Sequence, residues 1–158
     1  MPYTTHQGIR IHYRLEGAGP PLILQHGFTD SLESWYEMGS VEALKNDYRR
    51  IVVDARGHGA SDKPHDPTAS APTLHVADLI AVLADLTMPT AHFLGYSMLG
   101  GRLGFTLAKY ASARFSSLLI GGAHPYQFNR ERFDARLQML KQGPESIVAF
   151  WGKPSHPR

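Results

Sequence analysis

The serine at position 97 stands in a pattern suited to nucleophilic catalysis. A short apolar run leads into Gly95-Tyr96-Ser97-Met98-Leu99-Gly100-Gly101. A serine attacks an acyl carbon only when a base takes its proton and hydrogen-bond donors stabilise the oxyanion. A sharp turn from a strand into a helix meets the second requirement, because it lifts Oγ above the sheet and places backbone N–H groups beside the attacked carbonyl. We predict that Ser97 is a nucleophile held on such a turn.

One residue departs from the spacing that this turn usually has. Small residues flank the serine because the turn brings backbones close together. Gly95, two positions before Ser97, satisfies this requirement, whereas Leu99 stands two positions after it and the glycines follow one position late. We therefore expect Leu99 either to press into the sheet or to displace the turn.

Two other segments combine glycine with residues that could take part in chemistry. The first is Gln25-His26-Gly27-Phe28, and the second is the loop Asp54-Ala55-Arg56-Gly57-His58-Gly59-Ala60-Ser61-Asp62. Each follows an apolar run typical of a buried strand. Four other histidines, at positions 6, 12, 75 and 92, are predicted to lie on the surface of strands or helices.

The elements that must position these segments alternate along the chain. An antiparallel hairpin is predicted over residues 3–15, and strands are predicted over 21–25, 50–54, 91–94 and 117–120. Helices are predicted between them, the first with a capping box formed by Asp30 and Glu33. This alternation indicates an α/β fold, a mostly parallel sheet with helices on both faces.

Composition excludes several other classes of function. The chain has no cysteine, which rules out disulfides, thiolate catalysis and cysteine metal sites. No set of histidines and carboxylates has the spacing of metal ligands, and the glycines after Ser97 do not match a dinucleotide-binding loop, so no metal or cofactor is predicted. The chain has sixteen basic and fourteen acidic residues, and the basic residues do not form a run, which argues against nucleic-acid binding. With no signal peptide and no membrane-length apolar run, we expect a soluble, cytoplasmic, non-membrane protein.

Taken in order, the three motifs resemble those of the α/β-hydrolase fold family, in the branch with small carboxylesterases, carbon–carbon bond hydrolases and haloperoxidase-like enzymes. The resemblance covers the chain from the first hairpin to the strand at 117–120. It implies that the backbone N–H groups of Phe28 and Met98 form the oxyanion hole. It also implies a structural role for His26 and a site-shaping role for Asp54 and His58.

The acid and the histidine of a catalytic triad are not found at the family's positions. The family order is serine, then acid, then histidine, and the last two follow strands beyond the one at 117–120. That strand is followed by Gly121-Gly122-Ala123-His124-Pro125, with no carboxylate. His124 and His156 follow Ser97 in the chain, and neither stands in the family's histidine context. His124 comes at the carboxyl end of its strand, so of the two we predict it as the catalytic base.

Two functions of different class remain open. One is a serine hydrolase, acting weakly on carboxylic esters or related acyl substrates through Ser97. The other is a non-catalytic α/β-hydrolase fragment or self-assembling module. A haloperoxidase-like or carbon–carbon hydrolase activity would use the same serine.

The predicted organisation also bears on partners. We expect residues 1–124 to form the N-terminal part of the hydrolase core and residues 125–158 to form a helical segment that resembles the start of a cap. The strand at 117–120 is predicted to be buried on both faces and to lack a parallel partner on one side. We therefore expect a homo-oligomer, most simply a dimer, formed through that edge or by exchange of the C-terminal helices.

Overall fold

The computed structural model describes residues 2–126, 130–143 and 145–146 of the chain. Contacts divide it into two units, residues 1–125 and residues 126–158. The first unit contains the sheet and the serine turn. In the second unit, one helix is described, α5 over Arg130–Lys141. Residues 127–129, 144 and 147–158 of the predicted helical segment lie outside the described part.

The first unit is a six-stranded, mostly parallel sheet with helices on both faces, as the sequence pattern predicts. The strands are β1 (Tyr3–His6), β2 (Ile9–Glu16), β3 (Pro21–Gln25), β4 (Arg49–Val53), β5 (Ala91–Tyr96) and β6 (Phe115–Gly121). The helices are α1 (Glu33–Glu37), α2 (Ser40–Ala43), α3 (Pro72–Asp85) and α4 (Arg102–Tyr110). No described helix has both the length and the apolar character needed to span a lipid bilayer.

The strands are arranged in the order β1-β2-β4-β3-β5-β6. β1 and β2 form the antiparallel hairpin, and β2 also pairs antiparallel with β4. The remaining neighbours are parallel, so the carboxyl ends of β3, β4, β5 and β6 lie along one edge of the sheet. In open parallel sheets, this edge is where ligands bind.

The central strands are buried on both faces, which explains their continuous apolar runs. One core cluster has Ile23, Ile51 and Phe93 of the sheet packed against α3 and α4. The second has Leu24 and Val52 packed with residues of α1 and α2 and the segment before them. Neighbouring residues of a strand point to opposite faces, so β3 contributes to both clusters.

Three predictions about individual residues are wrong. The strand at 117–120 is not buried on both faces, because the Leu119 side chain is 52% exposed. His12 and His75, predicted on the surface, are buried. His12 faces the core because its neighbour in the chain, Ile11, packs on the opposite face of a strand that is covered on both sides.

The predicted capping box also does not form. Helix α1 begins at Glu33 with Leu32 as its N-cap residue, and the Glu33 N–H donates a hydrogen bond to Ser31 Oγ over 3.3 Å. In a capping box the Glu33 carboxylate would bind a backbone N–H group at the start of the helix. Here it forms an ion pair with Arg14 of β2 instead. This leaves Asp30 outside the helix, in the loop after β3.

Candidate active site

The carboxyl ends of three parallel strands bring the three sequence motifs together. Gln25, the last residue of β3, pairs with Val53 of β4 and with Gly95 of β5. The residues that follow these strands, His26-Gly27, Asp54 and Ser97, therefore lie side by side at one edge of the sheet. These residues are far apart in the sequence, and the parallel register of the strands brings them together.

Ser97 has the backbone conformation of a sharp strand-to-helix turn. Its φ is +63°, in the left-handed region that residues other than glycine rarely occupy. Tyr96 before it is still extended, with φ −122° and ψ 147°. Such a conformation costs about 1–3 kcal/mol and is found mainly at functional sites. The turn directs a hydroxyl away from the end of the strand, as a nucleophile requires.

The extra residue at position 99 is accommodated by a wider helical turn. Residues Ser97–Gly101 form a π-helical turn before α4 begins, and a π turn is what one inserted residue in a helix produces. Leu99 does not press into the sheet, because its side chain lines a surface cavity on the side of α3 and α4. Of the two outcomes expected for Leu99, the structure shows a widened turn.

The wider turn lets the late glycine take the position next to β3. The Gly100 N–H donates a hydrogen bond to the His26 carbonyl oxygen over 3.1 Å. A Cβ on Gly100 would collide with the Gln25 carbonyl oxygen, and a Cβ on Gly95 would collide with the Gly100 carbonyl. The close packing around the serine is therefore made by Gly95 and Gly100.

Gly27 is in close contact with the serine. A Cβ built on Gly27 would lie 3.1 Å from Ser97 Cβ and 3.3 Å from Ser97 Oγ. Phe28 follows it, half exposed, with its carbonyl oxygen facing His58 Nε2. Met98 is the second residue of the π turn, where backbone N–H groups have no partner within the helix. Phe28 and Met98 thus lie on the two segments that flank Ser97, and their role as oxyanion donors stays a prediction.

Both ring nitrogens of His26 form hydrogen bonds with the protein backbone. Its Nε2 accepts a hydrogen bond from the Ala55 N–H over 3.1 Å, and its Nδ1 lies 2.7 Å from the Gly27 carbonyl oxygen, to which it donates. Burial lowers the pKa of His26, so the ring is neutral at pH 7. With both nitrogens in use, His26 fixes the loop of Gly27 and does not serve as a base for Ser97.

Asp54 organises the loop that follows β4. Its two carboxylate oxygens accept hydrogen bonds from the Leu32 N–H over 2.8 Å, the Ala60 N–H over 3.0 Å and His12 Nδ1 over 2.7 Å. Burial acts to raise the pKa of Asp54, but these hydrogen bonds outweigh it and hold the pKa below its ordinary value. A Cβ on Gly59 would clash with this carboxylate, so the loop closes tightly around it.

His124 lies beyond β6, on the far side of the serine turn from Gly27. It lines a cavity of about 490 Å³ together with His75 of α3, Leu99 of the π turn and residues of α4. The segment before it approaches the turn, since a Cβ on Gly122 would lie 3.5 Å from the Ser97 backbone nitrogen. The role of His124 as a base for Ser97 stays a prediction.

The sequence patterns missed one carboxylate next to the serine. Asp30 Oδ2 lies 3.2 Å from the position that a Cβ on Gly27 would occupy, the same position that is 3.3 Å from Ser97 Oγ. Its place in a capping pattern concealed this proximity. The sequence signal for this proximity is that Asp30 comes three residues after Gly27, in the same loop as Phe28.

Comparison with known proteins supports the resemblance given by the motifs. The model of the alpha/beta hydrolase fold family matches residues 20–145. A Bacillus subtilis (strain 168) protein, provisionally named 2-succinyl-6-hydroxy-2,4-cyclohexadiene-1-carboxylate synthase, is 32% identical over 94% of this chain and 56% of its own length. The 3-oxoadipate enol-lactonase 1 of Acinetobacter baylyi is 29% identical over 92% of this chain and 54% of its own length.

A solved structure gives the same picture. A hydrolase from Pseudomonas aeruginosa PA01 superposes with a TM-score of 0.84 at 31% identity, covering 96% of this chain and 57% of that protein. The chain therefore spans a little over half the length of these relatives.

Proposed function

This chain belongs to the α/β-hydrolase fold family, and on that premise we propose that it acts as a serine hydrolase on carboxylic esters or related acyl substrates through Ser97. The observation that carries the proposal is the left-handed backbone of Ser97, with φ +63°, at the junction between β5 and a helical turn. Strain of this kind is maintained only where surrounding contacts impose it. Here the glycine contacts around the turn impose it.

The proposed reaction proceeds in two balanced steps. Ser97 Oγ attacks the carbonyl carbon of the ester, its proton passes to a base, and the carbonyl oxygen becomes an oxyanion between the N–H groups of Phe28 and Met98. The oxyanion collapses, the bond to the alkoxy oxygen breaks, and the alcohol leaves with the proton that the base had taken. Water then attacks the acyl-enzyme by the same route, and the acid is released with regeneration of Ser97.

His124 is the residue of this chain that we propose as the base. In its favour are its place after β6, at the edge of the sheet where the serine turn lies, and the approach of Gly122 to the Ser97 nitrogen. An oxyanion hole and binding alone leave about a thousandfold rate enhancement when triad members are missing. We therefore expect slow turnover, below the usual range of about 1–1000 per second.

A second candidate function is a non-catalytic module with the same fold. The observation in its favour is that no carboxylate follows β6 in the segment Gly121-Gly122-Ala123-His124-Pro125. Such a module would keep the turn for its packing and would not form an acyl-enzyme.

Covalent labelling separates these two functions. The full chain is treated with a fluorophosphonate and assayed with p-nitrophenyl butyrate, beside Ser97→Ala and the control Ser116→Ala, which removes an exposed hydroxyl of β6. Labelling and turnover that vanish only in Ser97→Ala support the hydrolase. No labelling of the wild-type chain supports the non-catalytic module, and turnover that survives in Ser97→Ala excludes Ser97 as the nucleophile. Loss of turnover in His124→Gln, with labelling reduced, would assign the base.

A further inference from the structure

The carboxylate of Asp30 lies within a short distance of the proposed nucleophile. Asp30 Oδ2 and Ser97 Oγ are 3.2 Å and 3.3 Å from one point, the site of a Cβ on Gly27. Two atoms that share such a neighbourhood cannot be farther apart than the sum of those distances. A charge at this separation from the reacting oxygen acts on every substrate that binds there.

No nearby cation compensates this charge among the residues that the structure describes. Asp30 is exposed, and it takes part in none of the ion pairs within 4.0 Å found in that part of the chain. The neighbouring His26 is neutral, because burial lowers its pKa and both of its nitrogens are engaged. The carboxylate of Asp30 is therefore exposed and lies close to whatever binds at Ser97.

There is also space beside this carboxylate. Asp30 lines an open cavity of about 270 Å³ with Thr29, Ser31 and Ser34 and with two further carboxylates, Glu37 and the Glu33 that pairs with Arg14. This volume is sufficient for a small group such as an alkylammonium ion. Asp30 therefore lies near Ser97 and also lines this cavity.

We propose that Asp30 determines substrate charge at the Ser97 site, favouring esters that carry a cationic group and disfavouring anionic ones. The inference rests on the proposed function, since it takes Ser97 as the nucleophile. Asp30 acts by electrostatic attraction on the part of the substrate that does not react, and it takes no part in the covalent steps.

The test compares two esters of the same shape and different charge. They are acetylcholine, which is cationic, and 3,3-dimethylbutyl acetate, its uncharged isostere. For the wild-type chain we expect kcat/KM to favour the cationic ester by about tenfold, which corresponds to about 1.4 kcal/mol. In Asp30→Asn, which keeps the shape of the side chain, the ratio should fall towards one while the neutral ester changes by less than about twofold. The control Asp47→Asn removes another exposed carboxylate and should leave the ratio unchanged.

The outcomes separate this inference from the proposed function. If both esters are cleaved through Ser97 and Asp30→Asn keeps the wild-type ratio, the inference fails and the function stands. If neither ester is cleaved, or Ser97→Ala still cleaves them, the proposed function fails.

In that case the same question is answered by binding. Choline and 3,3-dimethylbutan-1-ol are titrated while the amide signals of Gly27 and Ser97 are followed by NMR. A preference for choline that is lost in Asp30→Asn supports the inference, and equal binding of the two alcohols overturns it.

Discussion

Gly27 and Ser97 approach each other so closely that a single methyl group would fill the gap between them. A Cβ on Gly27 would lie 3.1 Å from Ser97 Cβ and 3.3 Å from Ser97 Oγ, closer than side chains normally pack. The space around the serine hydroxyl is thus kept open by the absence of a side chain at position 27. An incoming acyl group would need this space.

The first prediction concerns that contact. We expect Gly27→Ala to reduce esterase activity and fluorophosphonate labelling at least about tenfold, because the new methyl group crowds Ser97 Oγ. The thermal midpoint should fall only slightly, since Gly27 does not have a positive φ and the neighbours need to shift by only a few tenths of an ångström. The control Gly39→Ala, at a glycine with φ +73° and no atom near its Cβ position, should lower the thermal midpoint through backbone strain and keep wild-type labelling. Wild-type labelling in Gly27→Ala would contradict the prediction.

The second prediction concerns the extra residue in the serine turn. Deleting Leu99 should leave a folded protein with a cooperative thermal transition, because Gly100 can keep its hydrogen bond to the His26 carbonyl when it directly follows Met98. Leu99 lies at the wall of a surface cavity and not in the core, so little packing is lost. Circular dichroism melts of the wild type and the deletion variant check this. Precipitation or a broad, non-cooperative melt in the variant would mean that the wide turn is required for folding.

The third prediction concerns the pH dependence of stability. The pKa of His75 is lowered from 6.5 to about 4, mainly by burial; the carboxylate of Asp78 opposes the shift and the Arg56 guanidinium adds to it. Between pH 6.5 and 4 the unfolded chain therefore binds a proton at this position that the folded chain does not. Stability should fall as the pH is lowered through this range, by at most about 1.4 kcal/mol per pH unit from this group.

Urea denaturation of His75→Gln at several pH values tests this prediction. The variant has no titrating group at position 75, so its stability should decline less steeply between pH 6.5 and 4 than that of the wild type. His65→Gln, at an exposed position, should retain the wild-type slope. Parallel curves for His75→Gln and the wild type would refute the assignment.

The fourth prediction concerns the buried carboxylate of the loop after β4. Asp54→Asn should lower the free energy of unfolding by about 3 kcal/mol, because it removes the charge that pairs with buried His12 and places an amide group among N–H donors. The same change at exposed Asp47 should have little effect. Chemical denaturation measures both. A loss below about 1 kcal/mol in Asp54→Asn would show that the loop relaxes around the amide.

The fifth prediction concerns self-association. Among the described strands, β6 has a neighbour on one side only, and its Leu119 side chain is 52% exposed. We expect light scattering to show a dimer that dissociates on dilution, since exposed strand edges with apolar side chains pair with other chains. Leu119→Lys should shift the protein to a monomer, and Met38→Lys, on a different exposed surface, should not. A wild-type monomer at high concentration would refute this proposal.

Local patterns predicted the sheet and the sharp turn at Ser97. The apolar runs before Gln25, Asp54 and Ser97 specify buried strands, and the glycines near the serine specify a close turn. These signals lie within a few residues of the feature that they predict. They were sufficient for the fold class and for the three motifs.

The errors concern contacts between distant parts of the chain. His12 is buried because Asp54, forty-two positions later, meets its ring nitrogen. Asp30 was assigned to a helix cap, and only the parallel register of β3 and β5 brings it near Ser97. The π-helical turn could not be anticipated either, because the choice between a displaced loop and a widened helix depends on the packing of Gly100 against β3.

That widened turn has a consequence for how the protein tolerates an insertion. In a regular α-helix one added residue rotates everything after it by about 100°. Helix α4 would then turn Leu103, Gly104 and Leu107 away from the sheet, and polar side chains would take their place. The π turn cancels this rotation within its own length, so the helix keeps its azimuth while the chain is one residue longer. The serine turn can therefore contain one more residue without changing the orientation of the helix that follows it.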